Sequence, residues 1–190
     1  MKKQFYYVEF DDEKSSKTFK TKFLSGYYDL IATILSSIIS IALILVFLLR
    51  VATVEGTSMN PTLEDKDMLI ITNLTFGYKR GDIVVIYRED DVALIKRVIA
   101  VAGDKINIDF ENGIVEVNDK VLSEDYILEP TYRSFPEGPE FPLTVPEGYV
   151  FVMGDNRNNS LDSRSPKVGL INTQYIMGKM VIDFNNTGAK

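Results

Sequence analysis

The sequence predicts a mainly β protein, an antiparallel β-sheet domain preceded by one N-terminal transmembrane α-helix. Three observations carry this reading. Residues 30–49 form a block without a single charge, bounded by Asp29 and Arg50; at a rise of about 1.5 Å per residue its length matches the hydrocarbon core of a bilayer. Beyond it, apolar residues fall into short β-branched runs of the kind that make strands. Asn112-Gly113 stands between two alternating runs, the strongest short-range sign of a hairpin.

The apolar block reads as an anchor rather than a cleaved secretory leader. A leader's apolar region is about 7 to 15 residues long and follows a short basic start, whereas here a long polar segment comes first. Ser36, Ser37 and Ser40 interrupt the block, but their hydroxyls can bond back to the preceding turn. Lys14, Lys17, Lys20 and Lys22 lie upstream, against Arg50 and the more distant Lys66 downstream. The positive-inside rule therefore puts residues 1–29 in the cytoplasm as a short tail and residues 51–190 on the external face. Tyr27 and Tyr28 fall where amphipathic rings settle at a membrane interface.

In the external part, residues 68–72 (Met-Leu-Ile-Ile-Thr) and 83–87 (Ile-Val-Val-Ile-Tyr) read as buried strands, expected to pair with each other. A charged group at 88–91 marks a turn, and residues 92–102 form a third strand that carries Lys96 and Arg97 among apolar neighbours. Two adjacent cations inside such a strand are expensive unless each has a task. Residues 106–110 and 114–117 alternate around Glu111-Asn112-Gly113 as a β-ribbon. With the proline-rich loop at 129–146 this gives an insertion at about 104–148. Residues 149–153 are a further strand, running into a polar loop from Gly154 to Arg164, and a last strand covers 176–184.

Charge excludes one class of function. Lys plus Arg number 21 against 27 Asp plus Glu, a net charge of -6, which disfavours nucleic acid as a partner. The chain has no His and no Cys, so it lacks the usual imidazole base, a cysteine nucleophile and zinc sites of the Cys/His kind. The loop from Asp155 does not fit a calcium loop either, with Arg157 third, Ser160 sixth and Pro166 twelfth. No metal and no cofactor are expected.

Ser58 sits between Gly56 and Pro61, in a stretch suited to an abrupt turn with a hydroxyl at its apex. A serine that attacks a carbonyl must lose its proton. Without histidine the base is a carboxylate or a lysine, and Ser-Lys is the known pairing. A non-catalytic, membrane-anchored β-domain that binds an extracellular partner is the alternative of a different class.

Taken together, residues 56–62 (Gly-Thr-Ser-Met-Asn-Pro-Thr), 80–84 (Arg-Gly-Asp-Ile-Val), 96–104 (Lys-Arg-Val-Ile-Ala-Val-Ala-Gly-Asp) and 154–164 (Gly-Asp-Asn-Arg-Asn-Asn-Ser-Leu-Asp-Ser-Arg), behind a membrane anchor, resemble the type I signal peptidases. The resemblance implies a membrane-bound serine endopeptidase that removes signal peptides from secretory preproteins, cutting after a small-x-small sequence. It implies Ser58 as nucleophile, Lys96 as general base and Ser160 as the hydroxyl that orients the lysine. Arg97, Asp155, Asp162 and Arg164 match ion pairs around the site, while Gly56 and Met59 belong to the nucleophile segment. Where some members carry a second oxyanion donor as a serine hydroxyl, this chain has Gly56, and a backbone N–H is expected to substitute. The substrate is expected to lie along a strand edge near Ile83, Val84 and Val85. The lipid bilayer and the protein-export machinery complete the partners that the resemblance suggests.

Overall fold

The structure is a computed structural model that describes residues 12–88 and 93–183, with side chains from residue 24 onward. Residues 1–11, 89–92 and 184–190 lie outside the described residues. Phe5, Tyr6 and Tyr7 of the tail, most of the charged turn and the end of the last expected strand fall there. The chain divides into an N-terminal unit, residues 1–47, and a second unit, residues 48–190.

The first unit is one helix, α1, Asp12–Leu48. Its apolar portion, Leu24–Leu48, is long and apolar enough to cross a membrane, the one such helix among the described residues. The helix starts well before residue 30, where the sequence suggested a tail. Once the apolar segment has nucleated a helix, each added turn costs little, and the polar residues ahead of it contain no proline. Within the span the hydroxyls of Ser36 and Ser37 donate to the Thr33 carbonyl at 2.9 and 2.8 Å, and Ser40 donates to Ser36 at 2.8 Å.

The second unit contains eleven strands: β1 Leu49–Thr53, β2 Met68–Thr72, β3 Ile83–Ile86, β4 Leu94–Val101, β5 Lys105–Asp109, β6 Ile114–Val117, β7 Lys120–Val121, β8 Leu143–Thr144, β9 Tyr149–Met153, β10 Ile171–Asn172 and β11 Ile176–Asp183. They form a seven-stranded sheet in the order β1-β2-β11-β3-β4-β9-β10 and a four-stranded sheet in the order β7-β6-β5-β8. Every pairing is antiparallel.

One expected pairing is corrected by this order. β2 and β3 do not pair, because the C-terminal strand β11 lies between them and is antiparallel to both. Two apolar strands close in sequence look like a hairpin, yet the segment between them carries Gly77, Arg80 and Gly81 and is too long for a tight turn. The span also ends one residue early, since Leu49 opens β1 by pairing with Thr72.

The hairpin at Asn112-Gly113 forms as β5 and β6. The Asp109 carboxylate accepts the N–H groups of Glu111 and Asn112, both at 3.0 Å, and Gly113 takes a φ of 73° that favours glycine. The two sheets meet over one apolar cluster, with Ile99, Phe151 and Met153 from the larger packed on Ile106, Ile108, Val115 and Val117 from the smaller. A second cluster joins the larger sheet to the Ser58 loop. Met59 and Leu63 pack there with Leu69, Ile71, Ile83, Val85 and Ile95, so the nucleophile segment is seated by burial of the residue that follows the serine.

Candidate active site

Ser58 lies in the loop between β1 and β2, Lys96 on β4, and the polar loop 154–164 leaves the end of β9. β3 and β4 set the lysine's position, with Lys96 opposite Val84 and Arg97 opposite Ile83. Ser58 is brought up by the loop after β9: the Asn156 N–H donates to the Ser58 carbonyl at 3.0 Å and its side-chain amide to the Thr57 carbonyl at 3.1 Å. The Asn159 amide donates to Thr57 Oγ1 at 3.1 Å.

The result is a short contact between the two groups of interest. Lys96 Nζ is 2.7 Å from Ser58 Oγ and also donates to the Ile95 carbonyl at 2.9 Å. Lys96 is only 2% exposed, and loss of hydration brings its pKa down to about 8, against an opposing pull from Asp162 and Asp155. Those two carboxylates do not hold the lysine fully charged because each is neutralised by its own arginine.

Arg97 donates in a fork to Asp155 at 2.8 and 2.6 Å, and Arg164 donates in a fork to Asp162, both bonds 2.8 Å. Asp162 also accepts the Gly154 N–H at 3.1 Å. Buried bidentate pairs of this kind fix geometry as well as charge. They make the loop 154–164 a rigid block, near enough to the lysine for Asp162 and Asp155 to act on its charge.

Of the residues singled out in the sequence, Ser58, Lys96, Arg97, Asp155, Asp162 and Arg164 are brought together. Two expectations change. Ser160 is buried, but its hydroxyl has no hydrogen-bond partner among the described residues; Lys96 Nζ is engaged by Ser58 and Ile95 instead. Ile83, Val84 and Val85 cannot offer a strand edge, since β3 is paired on one side to β11 and on the other to β4. Val85 alone of the three lines the cleft beside Ser58 and Lys96, whose walls include Ala52, Val54, Ile71, Ile95 and Met177.

That cleft is about 490 Å³, and a second one of like size, lined by Ile86, Tyr149, Lys167 and Tyr175, contains neither Ser58 nor Lys96. Volume does not single out the site. The reacting pair does.

Several participants were not legible in the sequence. Gly154 is one: a Cβ there would come within 2.4 Å of the Ser58 carbonyl oxygen and 2.3 Å of Ser160 Oγ, so only glycine lets the two loops touch. Thr62 is another, its hydroxyl shared between Asp155 and Arg97. From the insertion, Tyr126 lies under the Arg97 guanidinium at 4.1 Å, and Glu124 pairs with the fully buried Arg157 at 2.6 Å. The burial and the Glu124 carboxylate push the Tyr126 hydroxyl up to about 12. A glycine directly after a strand was the one visible sign of these contacts.

Fold and site together describe the class of serine hydrolases that work with lysine in place of histidine. The chain belongs to the signal peptidase family, peptidase S26, whose family model matches residues 27–184. It is 36% identical over 178 residues to signal peptidase I P of Bacillus subtilis subsp. natto, covering 89% of this chain and 91% of the relative. It is 35% identical over 163 residues to signal peptidase I of Bacillus licheniformis, covering 81% and 86%. Probable signal peptidase I-1 of Synechocystis sp. is 37% identical over 164 residues, covering 77% and 79%. A crystal structure of signal peptidase I from Enterococcus faecalis V583 aligns with 57% of this chain and 100% of its own, at 27% identity and a TM-score of 0.48.

Proposed function

We propose that this protein is a membrane-anchored serine endopeptidase that removes signal peptides from secreted preproteins, with Ser58 as nucleophile and Lys96 as base. The observation that carries the assignment of roles is the 2.7 Å approach of Lys96 Nζ to Ser58 Oγ by an amine whose pKa is about 8. In its neutral form Lys96 takes the Ser58 proton as Oγ attacks the scissile carbonyl carbon. The tetrahedral oxyanion is stabilised by the Ser58 backbone N–H. The lysine then passes the proton to the leaving amine, the new N-terminus of the mature protein, and an acyl-enzyme remains on Ser58. A water deprotonated by the same lysine hydrolyses it.

The substrate enters the cleft as an extended chain. Ile71, Val85, Ile95 and Met177 line it and leave room for small side chains next to the reacting carbonyl, in keeping with cleavage after small-x-small. Membrane anchorage rests on the apolar portion of α1 and on family membership. In register across the sheet, Val51, Ile70 and Ile182 stand opposite one another, with Val51 67% and Ile182 41% exposed, a face suited to lipid beside β1, which begins one residue after the helix. The N-terminus is cytoplasmic and the β-domain external on this reading, which the lysine asymmetry supports.

Detergent-solubilised protein incubated with a purified preprotein, followed by N-terminal sequencing of the product, tests this directly. The expected product begins immediately after a small-x-small sequence. An intact preprotein, or the same cleavage by Ser58→Ala, overturns the proposal.

A further inference from the structure

The loop that carries Ser58 contains an acid to which the chemistry above gives no task. Asp65 Oδ1 accepts a hydrogen bond from the Gly56 backbone N–H at 2.7 Å. The loop runs from the end of β1 to the start of β2, and its neck is closed by backbone bonds, Val54 N–H to Asp67 O at 2.8 Å and Lys66 N–H to Val54 O at 2.9 Å. From Thr57 onward the segment is held by the Asn156 and Asn159 contacts and by burial of Met59 and Leu63. Gly56 lies between these two anchored ends. Its φ is +85° and nothing comes within 4 Å of where a Cβ would be, so packing does not fix its peptide.

We infer that Asp65 is a positioning residue for the cleavage reaction, its carboxylate fixing the Gly56 peptide and through it the direction in which Ser58 presents its hydroxyl to Lys96 and its N–H to the oxyanion. The inference deepens the proposed function and rests on it. A glycine is free to turn about both backbone dihedrals, and a hydrogen bond to a charged acceptor is among the stronger ones available to hold it. Fixing that peptide two residues before the nucleophile removes a motion that would otherwise have to be frozen in the transition state.

One consequence concerns the oxyanion. The Gly56 N–H is already committed to Asp65, so the backbone N–H that serves as second donor is a different one. Another concerns stability. Asp65 has a side chain 46% exposed and a 3.7 Å contact with Lys66 as an ion pair, so replacing it removes little packing, and an exposed pair of that kind adds little to stability.

The test compares full-length parent, Asp65→Ala and Asp65→Asn in detergent, by kcat and KM for a preprotein and by thermal unfolding. We expect Asp65→Ala to lose about ten- to a hundredfold in kcat with KM within about twofold, the signature of an interaction that counts in the transition state. Its Tm should stay within about 2 °C of the parent, as for a surface substitution. Asp65→Asn keeps an oxygen that can accept the Gly56 N–H and should retain kcat within about threefold, since the bond is kept and only its charge is lost. Parent-level kcat in Asp65→Ala overturns the inference. So does an equal loss in both variants with a lowered Tm, which assigns Asp65 to the fold alone. A parent that leaves the preprotein intact overturns the proposed function itself, and is distinguished from the other two outcomes by the parent reaction alone.

Discussion

A lysine that is 2% exposed is held at a cost to the fold. Its pKa falls from 10.5 to about 8, which corresponds to roughly 3 kcal/mol of lost stability when the amine is charged. The folded value is the lower one, so between about pH 8 and 10.5 the unfolded chain holds a proton that the folded chain has shed, and stability rises with pH across that window. Lys96→Met should therefore be more stable than the parent near pH 7, by up to about 3 kcal/mol, with the advantage shrinking to nothing above the ordinary lysine range. Urea denaturation of both proteins at two pH values measures this. The same variant should be inactive, as should Lys96→Arg, whose guanidinium keeps its proton; parent cleavage should climb with pH through about 8. Residual cleavage by Lys96→Arg would remove the lysine from the chemistry. Gly154 makes the second prediction at this scale. Because its missing Cβ leaves space for the Ser58 carbonyl and Ser160, Gly154→Ala should cost about a hundredfold or more in kcat, the penalty of an ångström-scale displacement. Unchanged turnover would mean that the two loops slide freely.

At the level of elements, the loop after β9 supplies the buried acidic groups near the base, as the aspartate does beside histidine in a Ser-His-Asp triad. Its ion pairs are not equal in weight. Asp162 and Arg164 are each fully buried as a pair, whereas Lys105 and Asp119 are 47% and 80% exposed. Removing one partner of the first leaves a charge stranded in the interior, and Asp162→Ala should cost about 3–5 kcal/mol; Asp119→Ala should cost less than about 1 kcal/mol. Denaturant midpoints of the two variants provide the comparison, and equal losses would deny the loop its rigid interior. The strands and the hairpin at Asn112-Gly113 were legible in the sequence because period-two alternation and turn chemistry are local. Ser58 and Lys96 were legible because the absence of histidine and cysteine narrowed the candidates, and because the resemblance named them. What was not legible is non-local. Insertion of β11 between β2 and β3 depends on a strand about a hundred residues away in sequence, a contact that no local pattern encodes. It also explains why Ile83–Val85, expected to be buried yet to offer the substrate a strand edge, is instead paired on both sides at the centre of the sheet. Helix α1 ran past its expected start for a similar reason, since propagation depends on the neighbouring turn rather than on each residue's own preference.

At the scale of the whole molecule, the remaining question is which side of the membrane the β-domain occupies, because a signal peptide is cut only where it emerges. The four lysines between Lys14 and Lys22 all lie on one side of the apolar span, and the near flank on the other side has only Arg50. Basic residues close to a span are retained on the cytoplasmic side, while acidic residues contribute little to the choice. The β-domain's excess of Asp and Glu is thus no obstacle to its export. The expected arrangement is residues 1–29 inside and residues 51–190 outside. Protease added to intact cells or spheroplasts should digest the C-terminal portion and leave a protected N-terminal fragment that includes the span. Replacing Lys14, Lys17, Lys20 and Lys22 with Gln while adding lysines after Arg50 should lower the externally digested fraction, since the balance of basic charge would then favour the opposite orientation. Protection of the β-domain in the parent would put Ser58 and Lys96 on the side where preproteins have not yet crossed, and would overturn the assignment of secretory preproteins as substrates even if the purified enzyme cleaved them.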